Sequence, residues 1–127
     1  MSDSFVVEQI GRITCHTFKD SSDGTVDEWV QSFHEYMKAA PAKRPFYYLF
    51  DISGEDVYFT SYAREMAAEL FATYGDRQGY MAFIMVWVTG PHIAKLFFSS
   101  LGRLAYKVEY FNTAAEGLQW LQDLPEG

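Results

Sequence analysis

Two adjacent hydroxyls, Thr60 and Ser61, stand just ahead of a stretch with helical spacing, where a side-chain oxygen has two uses. It can cap the helix by accepting from an orphan backbone N–H, a contribution of about 1 kcal/mol, or it can carry a phosphate whose charge the helix dipole favours. Thr89-Gly90-Pro91-His92, with Lys95 following, is a second candidate: a loop between an apolar strand and a helix, whose N–H groups and lysine suit a small anion. One Gly-Pro also makes an ordinary turn, and the repeated glycines of a phosphate-binding loop are missing. Histidine is the side chain suited to proton transfer near neutral pH, but no spacing sets a carboxylate beside His92. Cys15 and His16 are strand neighbours that point to opposite faces, so they form no nucleophile–base pair there, and Cys15 reads as a small buried hydrophobe. His16, His34 and His92 contain no i, i+4 pair for a metal, and Asp51, Glu55 and Asp56 lack the ligand spacing of a calcium loop. These residues give no catalytic set, no metal site and no cofactor motif.

The elements that must position them follow from periodicity. Phe5–Ile10 and Arg12–Phe18 are rich in β-branched and aromatic residues and meet at Gly11, which predicts a hairpin. Thr25 and Glu28 have capping-box spacing, and Val26, Trp29, Val30, Phe33, Met37 and Ala40 share one helical face. A helix is therefore expected from Thr25 until Pro41 and Pro45 end it. Phe46–Ile52 reads as a buried strand, and a second helix runs from about Ser61 to Tyr74, with Met66, Ala67, Leu70 and Phe71 inside and Gly75 as its stop. Tyr80–Val88 carries no charge on either face and belongs in the middle of the sheet. Ile93, Leu96, Phe97, Leu101 and Leu104 predict a third helix ending near Gly102, and Tyr106–Phe111 an outer strand with one solvated face. Thr113 and Glu116 cap a last helix with Ala114, Leu118, Leu121 and Leu124 inside. The order is β-β-α-β-α-β-α-β-α, a single α/β domain over residues 1–127 with a mixed sheet and about four helices.

Composition narrows the function classes. Of 127 residues, 49% are hydrophobic and 21% charged, as expected of one globular core. The net charge of −7 repels phosphate backbones and anionic lipids, and no basic run offsets it, so nucleic acid is not an expected partner. The longest uncharged apolar run, Met81–Val88, falls far short of the roughly 20 residues of a membrane span. With no leader pattern in the first residues and a single cysteine, the reading is a cytoplasmic protein without stable membrane insertion or a disulfide. Eleven Phe, nine Tyr and three Trp are more rings than a small sheet with four helices readily hides, and Tyr36, Tyr62, Phe98 and Trp120 are expected at or near the surface. A patch around Phe97, Phe98 and Leu101, or near Tyr62, would then bury itself in a second copy, giving a homodimer.

Leu49-Phe50-Asp51-Ile52-Ser53-Gly54, the helix from Ser61, the apolar strand Ala82–Val88 and the ending Val108–Leu121, with its Ala–Glu–x–x–x–Trp-Leu pattern, carry a resemblance. From about Phe5 to Leu124 the chain resembles the SpoIIAA-like branch of the STAS domain superfamily, which includes the anti-sigma factor antagonists of bacteria. The resemblance implies a non-catalytic protein-interaction or regulatory module, with a regulatory protein partner engaging the Ser53–Tyr62 surface and the adjoining second helix. In the antagonists, an Asp-Ser pair at the helix start carries the phosphoserine that switches partner binding. The matching stretch here, Val57–Tyr62, offers Thr60 and Ser61 as phosphosites but no Asp before the serine, and Tyr62 and Arg64 stand where small residues are usual. Structural kinship with CRAL-TRIO domains implies an alternative, a carrier of a small apolar or lipid-like ligand in a cavity beneath the third helix, between Phe97 and the central strand. A third reading, an enzyme, would need Asp51, Ser53, Thr89 and His92 to converge at the strand ends.

Overall fold

The computed structural model describes residues 4–41, 43–55, 57–85 and 91–125, and of 91–94 the backbone only. β1 (Phe5–Ile10) and β2 (Ile13–Phe18) form the expected antiparallel hairpin, in register from Phe5↔Phe18 to Ile10↔Ile13. Gly11 takes φ 59° at the first position of the two-residue turn, the left-handed value a type II′ hairpin requires there. There follow α1 (Asp23–Ala39), β3 (Phe46–Asp51), α2 (Ser61–Thr73), β4 (Gly79–Ile84), α3 (Pro91–Ser100), β5 (Lys107–Phe111) and α4 (Ala114–Asp123), in the order the periodicity predicts. The five strands lie in sequence order, with β2 to β5 mutually parallel.

That order decides where the helices go. Every crossover between β2 and β5 advances across the sheet in the same direction, and right-handed crossovers advancing one way leave their helices on one face. The cores of α1 and α2 and Phe98 of α3 accordingly join one cluster, while α4 packs alone on the opposite face against β3, β4 and β5. Side chains alternate between the two cores: Tyr48, Phe50, Met81 and Phe83 face the three helices, and Tyr47, Leu49, Ala82 and Ile84 face α4. With both faces covered, β3 and β4 can be almost wholly apolar.

The three-helix face absorbs most of the aromatic surplus. Trp29 stacks on Phe50 at 4.6 Å, and Phe33, Phe71 and Phe83 surround the pair. This filling turns α3 away from its expected phase. Leu96, expected inside, is 70% exposed, whereas Phe98, expected at the surface, is 6% exposed and lies 5.4 Å from Phe71 and 5.5 Å from Phe83. An aromatic ring buries more apolar area than leucine, and two rings stand ready to receive it. Tyr36, Tyr62 and Trp120 are half-buried at the rim.

Two boundaries also move. α1 begins at Asp23 rather than Thr25, because Ser22 is its N-cap, accepting from the Thr25 N–H at 3.3 Å. Asp20 holds this start: it accepts from the Thr25 hydroxyl at 2.6 Å and from Ser22 N at 3.0 Å, bonds that keep its carboxyl below the usual carboxylate range. Thr25 is thereby buried within the first turn instead of capping it. β4 ends at Ile84, and Met85 still donates to the Phe111 carbonyl at 3.1 Å; the rest of the expected strand, 86–88, lies outside the described residues.

Gly79 shows how tightly β4 is fitted. It pairs with Phe46, and a methyl at position 79 would overlap the Phe46 ring, which is itself buried against Tyr106 at 5.3 Å. Gly79→Ala should destabilise the domain by about 1–3 kcal/mol. A urea titration reads this directly, and an unshifted midpoint would mean the ring has room to move.

Candidate functional site

The candidates Ser53, Thr60, Ser61 and Tyr62 come together on the segment between β3 and α2, at the carboxyl end of the parallel strands. Its backbone is held almost residue by residue. Ser53 donates from N at 2.9 Å and from Oγ at 2.6 Å to the Asp51 carboxylate, so this Asp–Ser pair braces a turn. Val57 N donates to the Gly54 carbonyl at 3.1 Å, Tyr58 N to the Ser21 hydroxyl, and Thr60 N to the Tyr58 carbonyl at 3.0 Å. The Thr60 hydroxyl accepts from Ala63 N at 3.1 Å, which makes Thr60 the N-cap of α2. Ser61, the first helical residue, is exposed, with Arg64 Nη2 donating to its hydroxyl at 3.4 Å. The Tyr62 hydroxyl donates to the Asp27 carboxylate of α1, a bond that pushes its own pKa up. On this braced segment Tyr58 stands 70% exposed.

α3 gives less than the sequence suggests. Phe97 and Leu101 are half-buried against the three-helix core and Phe98 is wholly inside it, so the apolar patch expected there is mostly consumed internally. Lys95 is exposed; Thr89 and Gly90 lie outside the described residues, as does the side chain of His92. Rings pack beneath the described part of α3. Phe59, Phe71 and Phe98 lie 5.2, 6.5 and 5.2 Å from Phe97.

A cavity of about 760 Å³ opens instead at the opposite end of the sheet, lined by Gln9, Thr14, Tyr36, Pro41, Arg44 and Phe46 among others. Its hydroxyls are largely committed: Thr14 donates to Gln9 Oε1 at 2.6 Å and Tyr36 to the Tyr47 carbonyl at 3.2 Å. Burial pushes Tyr36 up to about 12, so it offers no proton near neutrality. The Arg44 guanidinium has no partner among the described residues. Arg12 also lines the groove, with its guanidinium donating to the Leu121 and Leu124 carbonyls, so the groove can hold a small molecule by shape and by the Arg44 cation.

The fold also sorts charge along the strands in a way the sequence reading missed. Arg12, Lys38, Lys43, Arg44, Arg77 and Arg103 lie where the parallel strands begin and the helices end, with Asp76 and Asp123 among them, while Asp20, Asp23, Asp27, Asp51, Glu55 and Glu65 lie at the other end with Lys19, Arg64 and Lys95. Helix dipoles favour this arrangement. Arg77 clamps the end of α1, donating to the Met37 and Ala40 carbonyls at 3.0 and 3.3 Å. Arg12 does the same for α4 through the Leu121 and Leu124 carbonyls at 3.2 and 2.5 Å, while lying 3.8 Å over the Tyr47 ring. Lys43-Arg44 between two prolines was the one local hint.

Cys15 and His16 do point to opposite faces. Cys15 lies on the α4 side, and burial, then Glu8 and Asp51, push its thiol up to about 11. His16 is buried on the three-helix side, with Nδ1 2.9 Å from the Tyr48 hydroxyl, which in turn accepts from Trp29 Nε1 at 2.8 Å. Among the described residues, no three of His, Cys, Asp and Glu gather to hold a metal ion, and no helix is long and apolar enough to cross a membrane. Compared with known protein families, curated proteins and solved structures, the chain matches none.

Proposed function

We propose that the chain is a non-catalytic protein-interaction module of STAS-like architecture, working in the cytoplasm and presenting the segment Ser53–Tyr62 to a regulatory protein partner. One observation carries this reading: Tyr58 is held 70% exposed on a loop whose backbone is hydrogen-bonded on both sides of it. An aromatic ring kept in water on a preordered platform loses little entropy on binding, which is the property of residues that dominate interfaces. Ser61 supports a regulatory form of the same reading. Its exposed hydroxyl sits at the N-terminus of α2 with Arg64 alongside, where a phosphate would be favoured by dipole and guanidinium together. Thr60, spent on its cap, is the lesser phosphosite.

A photo-crosslinking residue placed at position 58, with position 122 on the exposed side of α4 as control, tests the surface in the host cell. The expected result is a discrete adduct from position 58 alone, lost when Arg64→Glu is added. Its absence, or equal adducts from both positions, would sink the reading.

The groove beside Tyr36 and Arg44 favours a second reading, a carrier of a small ligand, held at the amino end of the strands. A noncovalent adduct in the native mass spectrum, weakened by Arg44→Ala, would favour it over the first.

A further inference from the structure

β1 is an edge strand of unusual openness. Among the described residues it pairs only with β2, and of its six residues Phe5 alone is buried, leaving Val6 39% and Val7 55% exposed. Edge strands are normally blunted by lysine, proline or a bulge. Phe5–Ile10 has no lysine or proline, and its ladder with β2 runs unbroken over all six pairs. The other edge, β5, is guarded by the charged pair Lys107–Glu109 at 3.5 Å.

The register says which backbone groups face outward. Lys19 N donates to the Ser4 carbonyl at 2.7 Å, one step beyond the Phe5↔Phe18 pair. Bonded and non-bonded pairs alternate in an antiparallel ladder, so Val6, Glu8 and Ile10 bond to β2, and the N–H and C=O groups of Phe5, Val7 and Gln9 point away from the sheet. We propose that this edge pairs antiparallel with β1 of a second copy, joining two five-stranded sheets into one across a twofold axis at Val6. In that register Phe5 of one protomer and Val7 of its partner exchange both backbone bonds, and the two Val6 side chains meet in the closer, non-bonded pair.

Charge selects the second copy in this register. Centred on Val6, the pairing sets Glu8 opposite Ser4 and keeps the two Glu8 carboxylates apart; slid by two residues it would set each Glu8 against Val6, and slid by four it would set Glu8 against Glu8 in a chain already at −7. Of these three registers, the Val6-centred one alone sets Glu8 against neither an apolar side chain nor another carboxylate, and in it the apolar residues meet one another. The interface lies on the edge of the sheet, independent of Tyr58 and of α3.

Light scattering across a concentration series tests it, with Val7→Lys, Val7→Pro and Leu96→Lys as variants. Lysine at the exposed position 7 leaves the core untouched, and proline there removes only an outward N–H. The wild type should approach twice 14.6 kDa, with the dissociation constant raised at least about tenfold in both position-7 variants and unchanged in Leu96→Lys, at unaltered melting temperature of Val7→Lys. Hydrogen exchange should show the Phe5 and Val7 amides protected in the dimer alone. A wild type monomeric at about 1 mM, or a dimer that survives Val7→Lys or yields to Leu96→Lys, overturns the proposal.

Discussion

Trp29→Ala should cost about 5 kcal/mol, close to the whole stability of a small domain. Trp29 is 1% exposed, stacks on Phe50 at 4.6 Å and meets Phe18, Phe33 and Phe71 edge-on at 5.7, 6.1 and 5.6 Å. These partners come from β2, β3, α1 and α2, so the void left by alanine cannot collapse without moving several elements together. The substitution also removes the N–H that donates to the buried Tyr48 hydroxyl at 2.8 Å. Trp29→Phe separates the two losses, since it keeps most of the stack and should cost only about 1–3 kcal/mol. Urea unfolding followed by circular dichroism reads both variants without depending on indole fluorescence. If Trp29→Ala left the midpoint within error of the wild type, the stack would not be the centre of this core.

The element order was legible because each strand and helix announces itself within a few residues: Phe46–Asp51 by its continuous apolar run, α4 by Thr113 and Glu116, whose N–H does donate to the Thr113 hydroxyl at 3.2 Å. What failed needed partners that the spacing does not name, some distant in the chain and some a few residues away. The stripe through Leu96 and Phe97 fits a helix as well as one through Phe98 does, and only Phe71 and Phe83 decide between them. Thr25 and Ser22 compete for one cap with similar local chemistry, and Asp20 settles it by bonding both.

The candidate site divides in the same way. Thr60 and Ser61 could be placed at a helix start from spacing alone, but the exposure of Tyr58 depends on Ser21, 37 residues away in sequence, which fixes the loop. The basic end is assembled from the hairpin turn and three helix-to-strand connections, so no window of the sequence contains it. Openness of β1 is likewise a property of strand order. The pattern Val6-Val7 would suit a central strand equally well, and only the one-way succession of crossovers puts it at the rim.

His16 should make the domain lose about 3 kcal/mol of stability between pH 7 and pH 4. Burial lowers its pKa from 6.5 to about 4, so in that window the unfolded chain binds the proton and the folded chain does not. The unfolded state holding more protons means stability rises with pH there. It is fully present above 6.5, falls as the pH drops towards 4, and levels off below. The hydrogen-bond chain runs in the same sense. Trp29 donates to the Tyr48 oxygen, and an unprotonated His16 Nδ1 can accept from the Tyr48 O–H; a proton on Nδ1 takes that acceptor away from a hydroxyl inside the core. His16→Gln removes the titration while an amide oxygen can still accept from Tyr48. Urea titrations of both proteins from pH 7 to pH 4 isolate the effect, because the surface carboxylates are common to the two and cancel in the difference. The wild type should fall relative to the variant by about 3 kcal/mol, with the steepest change below pH 6.5. Parallel curves would mean that the imidazole is already protonated in the fold or reaches water freely, and either would contradict its place between Phe5 and Tyr48, whose rings lie 5.2 and 5.0 Å from it.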